Sequence, residues 1–347
     1  MSAARSLSAV LDDRAALAGF SRLSLSMVLT NPQAPDNPIV YVNDAFERTT
    51  GYSRSSVVGR NCRFLQGERT RKEDVDKIRT AVEGGRDVTV DILNYRSSGE
   101  PFNNRLIIAP ILGEDGSPLY FLGLQKEIRD GEENELVDQQ LNALRARVRD
   151  DLSLVLATIS EPSRHQSVDD PMHEVEALPR RLDCLQLAYE EMKLTDNQVA
   201  RHGIDLGSLI SRVAANVANN ASRPGLRFSL IVDPYVVDLD IAVRVALILS
   251  ETLSNAFEHA FDGLDEGCVE LRAMALAAGG LRLLISDDGV GIPAKIDWPN
   301  PATMGGRLIG ALLDGLDATI NVARGAAGTI VMIDIPAGLD ASKSKGD

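Results

Sequence analysis

One thiol of this chain lies among polar residues, where a structural cysteine would normally lie in an apolar run. Cys62 stands in the stretch GRNCRFLQG, between an amide and a guanidinium and close to glycine. Most isolated cysteines are inert, and we expect this of Cys184 and Cys268. The polar setting of Cys62 favours chemistry instead.

Three primary amides share faces with apolar residues in the first third of the chain. Counting alternate residues along VTVDILNYRS, FNNRLIIAPIL and LYFLGLQKEI turns Asn94, Asn104 and Gln125 toward one interior. An unsatisfied buried amide costs on the order of 1 to 3 kcal/mol, so a buried partner with donors and acceptors is expected. A heteroaromatic ring with an imide edge would serve. Alternatively, the amides bond to one another or to loop backbone.

A second polar group lies in the last third of the chain. In ETLSNAFEHAF, Glu251 and Asn255 share one helical face, and His259 follows one turn later. The glycines of ISDDGVGIP allow a ligand to approach the backbone closely. The glycine pair of MGGRLIGALLDGL opens an amphipathic helix, whose N-terminus favours anions. Each signal alone is weak, but the three in this order favour a nucleotide site.

The composition limits the classes of function. The 347 residues are 44% hydrophobic, enough for two or three domains. A formal net charge of −14 disfavours nucleic acid and membrane surfaces as partners. No apolar run approaches the roughly 20 residues of a spanning helix, and no signal peptide is evident. Three distant cysteines argue against disulfides, so we expect a cytoplasmic protein.

Three segments of different texture must position these residues, and they predict an α+β multidomain protein. Residues 24–128 are strand-rich, with turns in SSGE and GEDGSP. Residues 131–200 carry an apolar stripe at helical spacing from Val137 to Ile159, then a loop, SRHQSVDDP, and a returning helix, LPRRLDCLQLAYEEM. Residues 204–336 combine helices, strands and glycine turns into a predicted α/β sandwich.

The stretches GRNCRFLQG, LNYRSSGEPFNNRLIIAPI and FLGLQKEI together resemble a LOV domain, the flavin-binding blue-light sensor of the PAS fold, over nearly all of residues 24–128. The resemblance implies that Cys62 is a neutral thiol that adds to carbon C4a of photoexcited flavin mononucleotide (FMN). It implies that Gln125 couples the flavin to the linker. It also implies contacts to the polar edge of the ring from Asn94, Asn104 and Gln125, flanking positions for Asn61 and Gln66, and phosphate contacts from Arg63 and Arg79. By its helix pattern alone, Arg79 would be a solvated side chain.

Residues 204–336 resemble the ATP-binding domain of sensor histidine kinases, the GHKL fold. The resemblance implies that Asp287 bonds the adenine amino group, that Asn255 coordinates Mg²⁺ and that Glu251 orients or deprotonates the acceptor. The pocket and lid would be shaped by Gly289, Gly291, Gly305 and Gly306. His259 is similar to a feature of the HWE kinases and their relatives, although the Trp-x-Glu motif of that group is missing. The short span between Pro293 and Met304 predicts a reduced lid.

The acceptor helix of such kinases resembles H-R-x-K-N-x-L-x-L-V, and the chain offers ARVRDDLSLV at 146–155. The acceptor histidine position holds Ala146, and the asparagine position holds Asp150. A methyl group cannot accept a phosphoryl group. His165 and His173, which we place in the hairpin loop, are weak substitutes.

These resemblances imply a blue-light receptor histidine kinase that binds FMN, ATP and Mg²⁺ and signals to a response regulator, as a monomer or as a homodimer through the hairpin. Because the acceptor position holds Ala146, the resemblance does not decide whether the chain as written phosphorylates itself. One rival is a light-sensing, ATP-binding pseudokinase that docks a response regulator. A second rival, a flavoprotein scaffold without enzyme activity, is disfavoured because Asn255 and Asp287 are present.

Overall fold

The computed structural model describes residues 26–113, 116–128, 171–194, 203–221, 223–277, 279–293, 296–325 and 328–337. The chain divides into two compact units, Met1–Ser160 and Glu161–Asp347. The predicted linker helix, Ala146 and His165 lie outside the described residues. Within the described ranges, no helix combines the length and the apolar character that crossing a membrane requires.

The first unit is built on a five-stranded antiparallel sheet with the strand order β2-β1-β5-β4-β3. Its strands are β1 (Ser26–Thr30), β2 (Ile39–Val42), β3 (Val88–Tyr95), β4 (Pro101–Leu112) and β5 (Pro118–Glu127). Between β2 and β3 the chain forms α1 (Asp44–Thr50), α2 (Arg54–Val57), a 3₁₀ helix (Cys62–Leu65) and α3 (Lys72–Glu83). This arrangement confirms the predicted PAS-type fold class.

Local sequence explains how the helices of this unit begin and end. Asn43 caps α1, because its side-chain oxygen accepts the Phe46 N–H at 2.9 Å, and the same oxygen accepts the Met27 N–H of β1 at 2.9 Å. Gly51 ends α1 in the left-handed conformation, with φ 74°. Asn61 caps the 3₁₀ helix by accepting the Arg63 N–H at 3.0 Å. The cap therefore fixes the backbone on which Cys62 is the first helical residue.

Alternation along the strands divides the sheet into two faces. On β3, Val90, Ile92 and Asn94 are buried, while Thr89 and Asp91 between them are exposed. Asn104 on β4 is fully buried, and Gln125 on β5 is 2% exposed. The period-2 prediction of three inward amides is therefore confirmed by burial.

The second unit contains a five-stranded mixed sheet with the order β11-β12-β10-β9-β7, in which only the β7–β9 pair is parallel. The strands of that sheet are β7 (Leu226–Val232), β9 (Gly267–Ala275), β10 (Leu281–Asp287), β11 (Thr319–Gly325) and β12 (Gly328–Ile335), and the short strands β6 (Ile204–Asp205) and β8 (Val236–Val237) pair with each other in a separate two-stranded sheet. The helices are α4 (Pro171–Leu194), α5 (Leu206–Ala221), α6 (Leu239–His259) and α7 (Met304–Asp314). This combination confirms the predicted α/β class of the segment.

Helix α6 is the centre of the second unit. It packs against α4, α5 and α7, and most of its residues from Leu239 to Ser254 are buried. Such a helix is apolar nearly all round because it is covered by neighbours on several sides. The few polar side chains that it buries, Glu251 above all, therefore need partners from the surrounding helices.

Helix α4 corrects one sequence prediction. His173, expected in the hairpin loop, lies in α4, which begins at Pro171 rather than near Leu178. Proline is favoured in the first helical turn, where its missing N–H is not needed, and Pro171 has this position. The second proline, Pro179, lies inside the helix, about two turns after its first residue, so the helix does not begin there.

Candidate functional site

The first unit encloses a cavity of about 430 Å³ between the sheet and the helices that follow β2. Its lining includes seven of the residues predicted from the LOV resemblance: Asn61, Cys62, Arg63, Gln66, Arg79, Asn94 and Gln125. Apolar walls come from Val28, Leu65, Ile92, Leu106 and Phe121. The cavity is large enough for a tricyclic aromatic ring system, since small-molecule pockets usually span 300 to 1,000 Å³.

The buried amides are partly satisfied by one another. The Asn104 side-chain amide donates to the Asn94 side-chain oxygen at 2.8 Å, so the alternative of mutual bonding applies to this pair. Two acceptors remain: in the described part of the chain, the side-chain oxygens of Asn104 and Gln125 are buried without a hydrogen-bond partner. A buried acceptor of this kind requires a donor. A ring with an N–H at its edge fits that requirement, and a wholly apolar ligand does not.

The Cys62 thiol lies in the wall of the same cavity, and Cys62 packs with Tyr52 and Phe64 against the apolar core of the unit. All three cysteines of the chain are free. Burial raises the pKa of the Cys62 thiol to about 12, against an opposing contribution from the Arg63 charge. The thiol is therefore protonated at neutral pH, and it is not a ground-state nucleophile.

Two arginines, Arg63 and Arg79, line the cavity. Arg63 donates to both oxygens of Asp36 at 2.7 Å, and Arg79 pairs with Asp76 at 2.9 Å. These pairs are mostly exposed, so they bind weakly and can exchange a carboxylate for a phosphate. Asn61 tethers this region by donating to the Asp36 carbonyl at 2.6 Å. Arg63 and Arg79 are thus available to an anionic group at the mouth.

The DxGxG turn of the second unit is organised by Asp287, at the end of β10. Its carboxylate accepts the backbone N–H groups of Gly289 at 3.0 Å and Thr329 at 3.2 Å. Burial is the largest influence on this carboxyl group and raises its pKa, whereas the two N–H donors oppose that shift. A Cβ on Gly289 would lie 2.0 Å from the Ala260 carbonyl oxygen, so only glycine fits there. Gly291 has φ 73°, another glycine conformation.

The two glycine segments lie on either side of the same stretch of α6. The Val290 N–H donates to the Ala260 carbonyl at 2.7 Å just beyond the end of α6. About two and a half turns earlier, Glu251 lies against Gly305, where an added Cβ would be 2.9 Å from the carboxylate. Gly306 is held in the first turn of α7, where its N–H donates to the Thr303 hydroxyl at 3.1 Å. Half-buried Asn255 lies between these two contacts along α6. The predicted nucleotide residues are thus brought to one region, and His259 is exposed at its edge.

Glu251 has a different environment from the one that its predicted role requires. Arg181 of α4 donates to both carboxylate oxygens, at 2.9 and 3.0 Å, and Arg180 lies 3.6 Å away. The Glu251 side chain is 4% exposed and the Arg181 side chain is 2% exposed. Burial favours the neutral acid, but the two arginines outweigh it and hold the pKa of Glu251 below its usual value. Both oxygens of this carboxylate are engaged within the protein.

Several residues of these sites were missed from sequence. Arg181 was not singled out from the sequence, because its partner lies 70 residues away in the chain. Thr329, whose hydroxyl accepts the Ile292 N–H at 3.2 Å, had only its place at the start of the last strand as a signal. Ser26 pairs in register with Gln125, and its buried hydroxyl likewise lacks a partner within the described ranges. Antiparallel register places the two side chains on one face, but register is not visible in a single sequence.

Comparison with known proteins agrees with this geometry. Residues 24–130 match the PAS domain family. The chain is 38% identical over 322 residues to blue-light-activated histidine kinase 2 of Erythrobacter litoralis, covering 91% of this chain and 92% of the relative. It is 33% identical over 314 residues to a blue-light-activated histidine kinase of Rhizobium johnstonii, covering 87% and 84%. The solved structure of the Erythrobacter litoralis EL346 blue-light activated histidine kinase matches with a TM-score of 0.69 and 37% identity, over 92% of this chain and 97% of the other.

A PAS unit around a polar-edged cavity, joined in one chain to a histidine kinase domain, defines a sensor histidine kinase with a LOV sensor. The similarity extends along nearly the whole chain. The chain belongs to the family of blue-light-activated histidine kinases.

Proposed function

We propose that this protein senses blue light through FMN held in the cavity of the first unit, with Cys62 as the photoreactive thiol. The observation that carries the proposal is the neutral thiol in the wall of a cavity that is also lined by Gln125, whose side-chain oxygen is buried without a partner among the described residues. Asn104 does not itself line the cavity, but it bonds Asn94, which does. When bound, a flavin absorbs blue light and becomes reactive toward a nearby thiol. Cys62 would supply the thiol for this reaction, its sulfur adding to ring carbon C4a and its proton going to ring nitrogen N5, and both bonds would break again in the dark.

The remaining cavity residues have binding roles in this proposal. Asn94, Asn104 and Gln125 bond the polar edge of the ring, and Asn61 and Gln66 lie beside it. Arg63 and Arg79 hold the phosphate, because guanidinium groups bind phosphate oxygens in pairs. Gln125 lies three residues before Ile128, so a rotation of its amide would reach the linker that follows the sensor.

The second unit is proposed to bind ATP with Mg²⁺. Asp287 bonds the adenine amino group, and Asn255 supplies one oxygen ligand to Mg²⁺, which takes its others from phosphate and water. Gly289, Gly291, Gly305 and Gly306 allow the backbone to approach the nucleotide. We assign residues 24–128 to the sensor, 131–200 to the linker and hairpin, and 204–336 to ATP binding. The proposed partner is a response regulator, and the hairpin is the proposed dimer contact if the protein is a homodimer.

A second candidate function follows from one residue. Ala146 stands at the acceptor position, and a methyl group has no lone pair to attack the γ-phosphorus. The second candidate is therefore a light-regulated, ATP-binding pseudokinase that acts by docking a response regulator. Purified protein incubated with γ-labelled ATP in the dark and in blue light distinguishes the two. Acid-labile label on the chain supports autophosphorylation, whereas ATP binding without label supports the pseudokinase.

A further inference from the structure

The carboxylate of Glu251 is enclosed by residues that come from outside its own helix. On one side the Arg181 guanidinium forms a two-pronged contact at 2.9 and 3.0 Å, and its third nitrogen donates to the Met304 sulfur at 3.2 Å. Met304 is the first residue of α7, and it is 5% exposed. The ion pair therefore joins three elements: α4, the nucleotide-site helix α6, and the helix α7 that begins with the glycine pair.

Gly305 closes the enclosure. A Cβ built there would lie 2.9 Å from one Glu251 oxygen and 4.0 Å from the Arg181 guanidinium. The first turn of α7 thus lies directly over the ion pair. With both oxygens bonded and 4% of its side chain exposed, Glu251 is inaccessible to a phosphoryl acceptor in this arrangement.

Helix α4 is held at two further places. Arg180 bonds to Glu258 at 3.1 Å and to the Ser254 hydroxyl, both on the same side of α6 as Glu251. Toward the other end of α4, Arg212 of α5 bonds Glu190 at 2.6 Å and Glu191 at 3.1 Å. The buried thiol of Cys184 lies between these contacts and faces Ser250 of α6. The helix is therefore fastened along its length to the two helices beneath it.

We propose that Arg181 is an inhibitory latch: α4 withholds the Glu251 carboxylate from the phosphoryl-transfer reaction, and separation of α4 from α6 frees it. The proposal rests on the proposed function of the second unit in ATP binding. Arg181 acts through Glu251 and is not itself a catalytic residue. Freed from Arg181, the carboxylate can accept the proton of a nucleophile that attacks the γ-phosphorus.

The latch can be tested without an acceptor histidine, because water can be the nucleophile. The water oxygen bonds to the γ-phosphorus, the bond from that phosphorus to the ADP oxygen breaks, and Glu251 takes the water proton. The products are inorganic phosphate and ADP. Phosphate release from MgATP is measured for the full chain, for Arg181→Gln, and for Arg181→Gln with Glu251→Gln. ATP affinity is measured for each by calorimetry.

We expect Arg181→Gln to raise phosphate release by about a hundredfold, the lower end of what a positioned general base contributes. The added Glu251→Gln change should return the rate to that of the parent. Arg212→Gln is the second variant. It removes the contacts of Arg212 with Glu190 and Glu191 of α4 but keeps Arg181, so we expect a smaller rise in phosphate release. This variant keeps the test available if Arg181→Gln fails to fold.

Alkylation of Cys184 reports separation of α4 directly and needs no nucleotide. Burial holds this thiol protonated, with its pKa raised to about 12, so iodoacetamide should modify it slowly in the parent. Mass spectrometry, with Cys268 as the internal standard, should show faster modification of Cys184 in Arg181→Gln and in Arg212→Gln.

The outcomes separate the latch from the function on which it rests. Faster alkylation with unchanged or reduced phosphate release, while ATP still binds, overturns inhibition and leaves Arg181 as a structural contact. Unchanged alkylation in both variants also overturns the latch. A parent protein that binds no MgATP refutes the proposed function of the second unit itself.

Discussion

Asn104 donates its side-chain amide to the side-chain oxygen of Asn94, and its own oxygen is then left buried without a partner among the described residues. Each amide of this pair fixes the orientation of the other, because the donor and acceptor ends of a primary amide are not interchangeable. Asn94, which lines the cavity, is consequently oriented before any ligand is bound, and less ordering is required on binding.

The first prediction follows from that acceptor. Asn104→Leu should weaken flavin binding about tenfold or more, the equivalent of one lost buried hydrogen bond of roughly 1 to 3 kcal/mol. Titration of apoprotein with FMN, followed by quenching of flavin fluorescence, measures the change. Asn103→Leu is the matched control, since Asn103 is the exposed neighbour on β4. Equal affinities for the two variants would contradict a contact between Asn104 and the ring.

The second prediction concerns the thiol. Cys62→Ala should still bind flavin and be yellow, but blue light should no longer bleach its absorption band reversibly, because the bond-forming sulfur is gone. Absorption spectra before, during and after illumination measure this. Cys268→Ala, which changes a partly buried thiol in the other unit, should bleach and recover like the parent. Recovery of a bleached band in Cys62→Ala would remove Cys62 from the photoreaction.

The third prediction is a pH dependence. The pKa of Cys62 is raised from its ordinary 9.0 to about 12, so the folded thiol keeps its proton at pH 9, where an unfolded one is half ionised. Iodoacetamide in the dark at pH 9 should therefore modify Cys62 at least about tenfold more slowly in folded than in denatured protein. Bleaching yield should be flat from neutral pH to pH 9. The same shift lowers the stability of the fold as pH rises from 9 toward 12, because the unfolded chain loses the proton first.

The fourth prediction concerns the metal. Asn255→Ala should abolish the magnesium-dependent part of ATP binding and leave the flavin cycle unchanged, since Mg²⁺ loses an oxygen ligand in a separate unit. Calorimetry with ATP, with and without Mg²⁺, gives the result. Asn219→Ala, an exposed amide on α5, is the control. If ATP affinity in Mg²⁺ is the same for both variants, Asn255 is not a metal ligand.

The fifth prediction addresses the missing nucleophile. The chain as written should show no phosphohistidine in the segment 146–155, and Ala146→His should create light-dependent labelling, because transfer needs an imidazole nitrogen in line with the γ-phosphate. A carboxylate at Asp150, four residues further along the sequence, would oppose an incoming phosphate. Ala146→His with Asp150→Asn should therefore label more strongly than Ala146→His alone.

Label on the unmodified chain would contradict this alignment, and mass spectrometry would then locate it, with His165 and His173 as the first candidates. If neither variant is labelled although ATP binds, the pseudokinase hypothesis remains.

Strand periodicity predicted that the three amides point inward, because the face on which a strand residue lies follows from its place in the alternation along the chain. The same reasoning could not show that Asn104 bonds Asn94, since that contact depends on the pairing register of β3 and β4. It also could not find the Arg181–Glu251 pair, because a buried arginine and an exposed one have the same sequence pattern until the packing of α4 on α6 is known. Glu251 was predicted from the sequence to belong to a nucleotide site, but the hydrogen bonds of both its carboxylate oxygens to Arg181 were not foreseen.

The strand order of the first unit has a practical consequence. Its first and last strands are central neighbours, and Ser26 at the start of β1 pairs with Gln125 near the end of β5. Opposite residues in an antiparallel pair have Cα atoms only about 5 Å apart. The sensor therefore leaves the sheet almost where it enters it, which is the geometry that tolerates insertion into a surface loop of another protein. Spliced into such a loop, residues 26–125 would spread the host chain by little more than one strand spacing, making this segment a suitable cassette for insertion into other proteins.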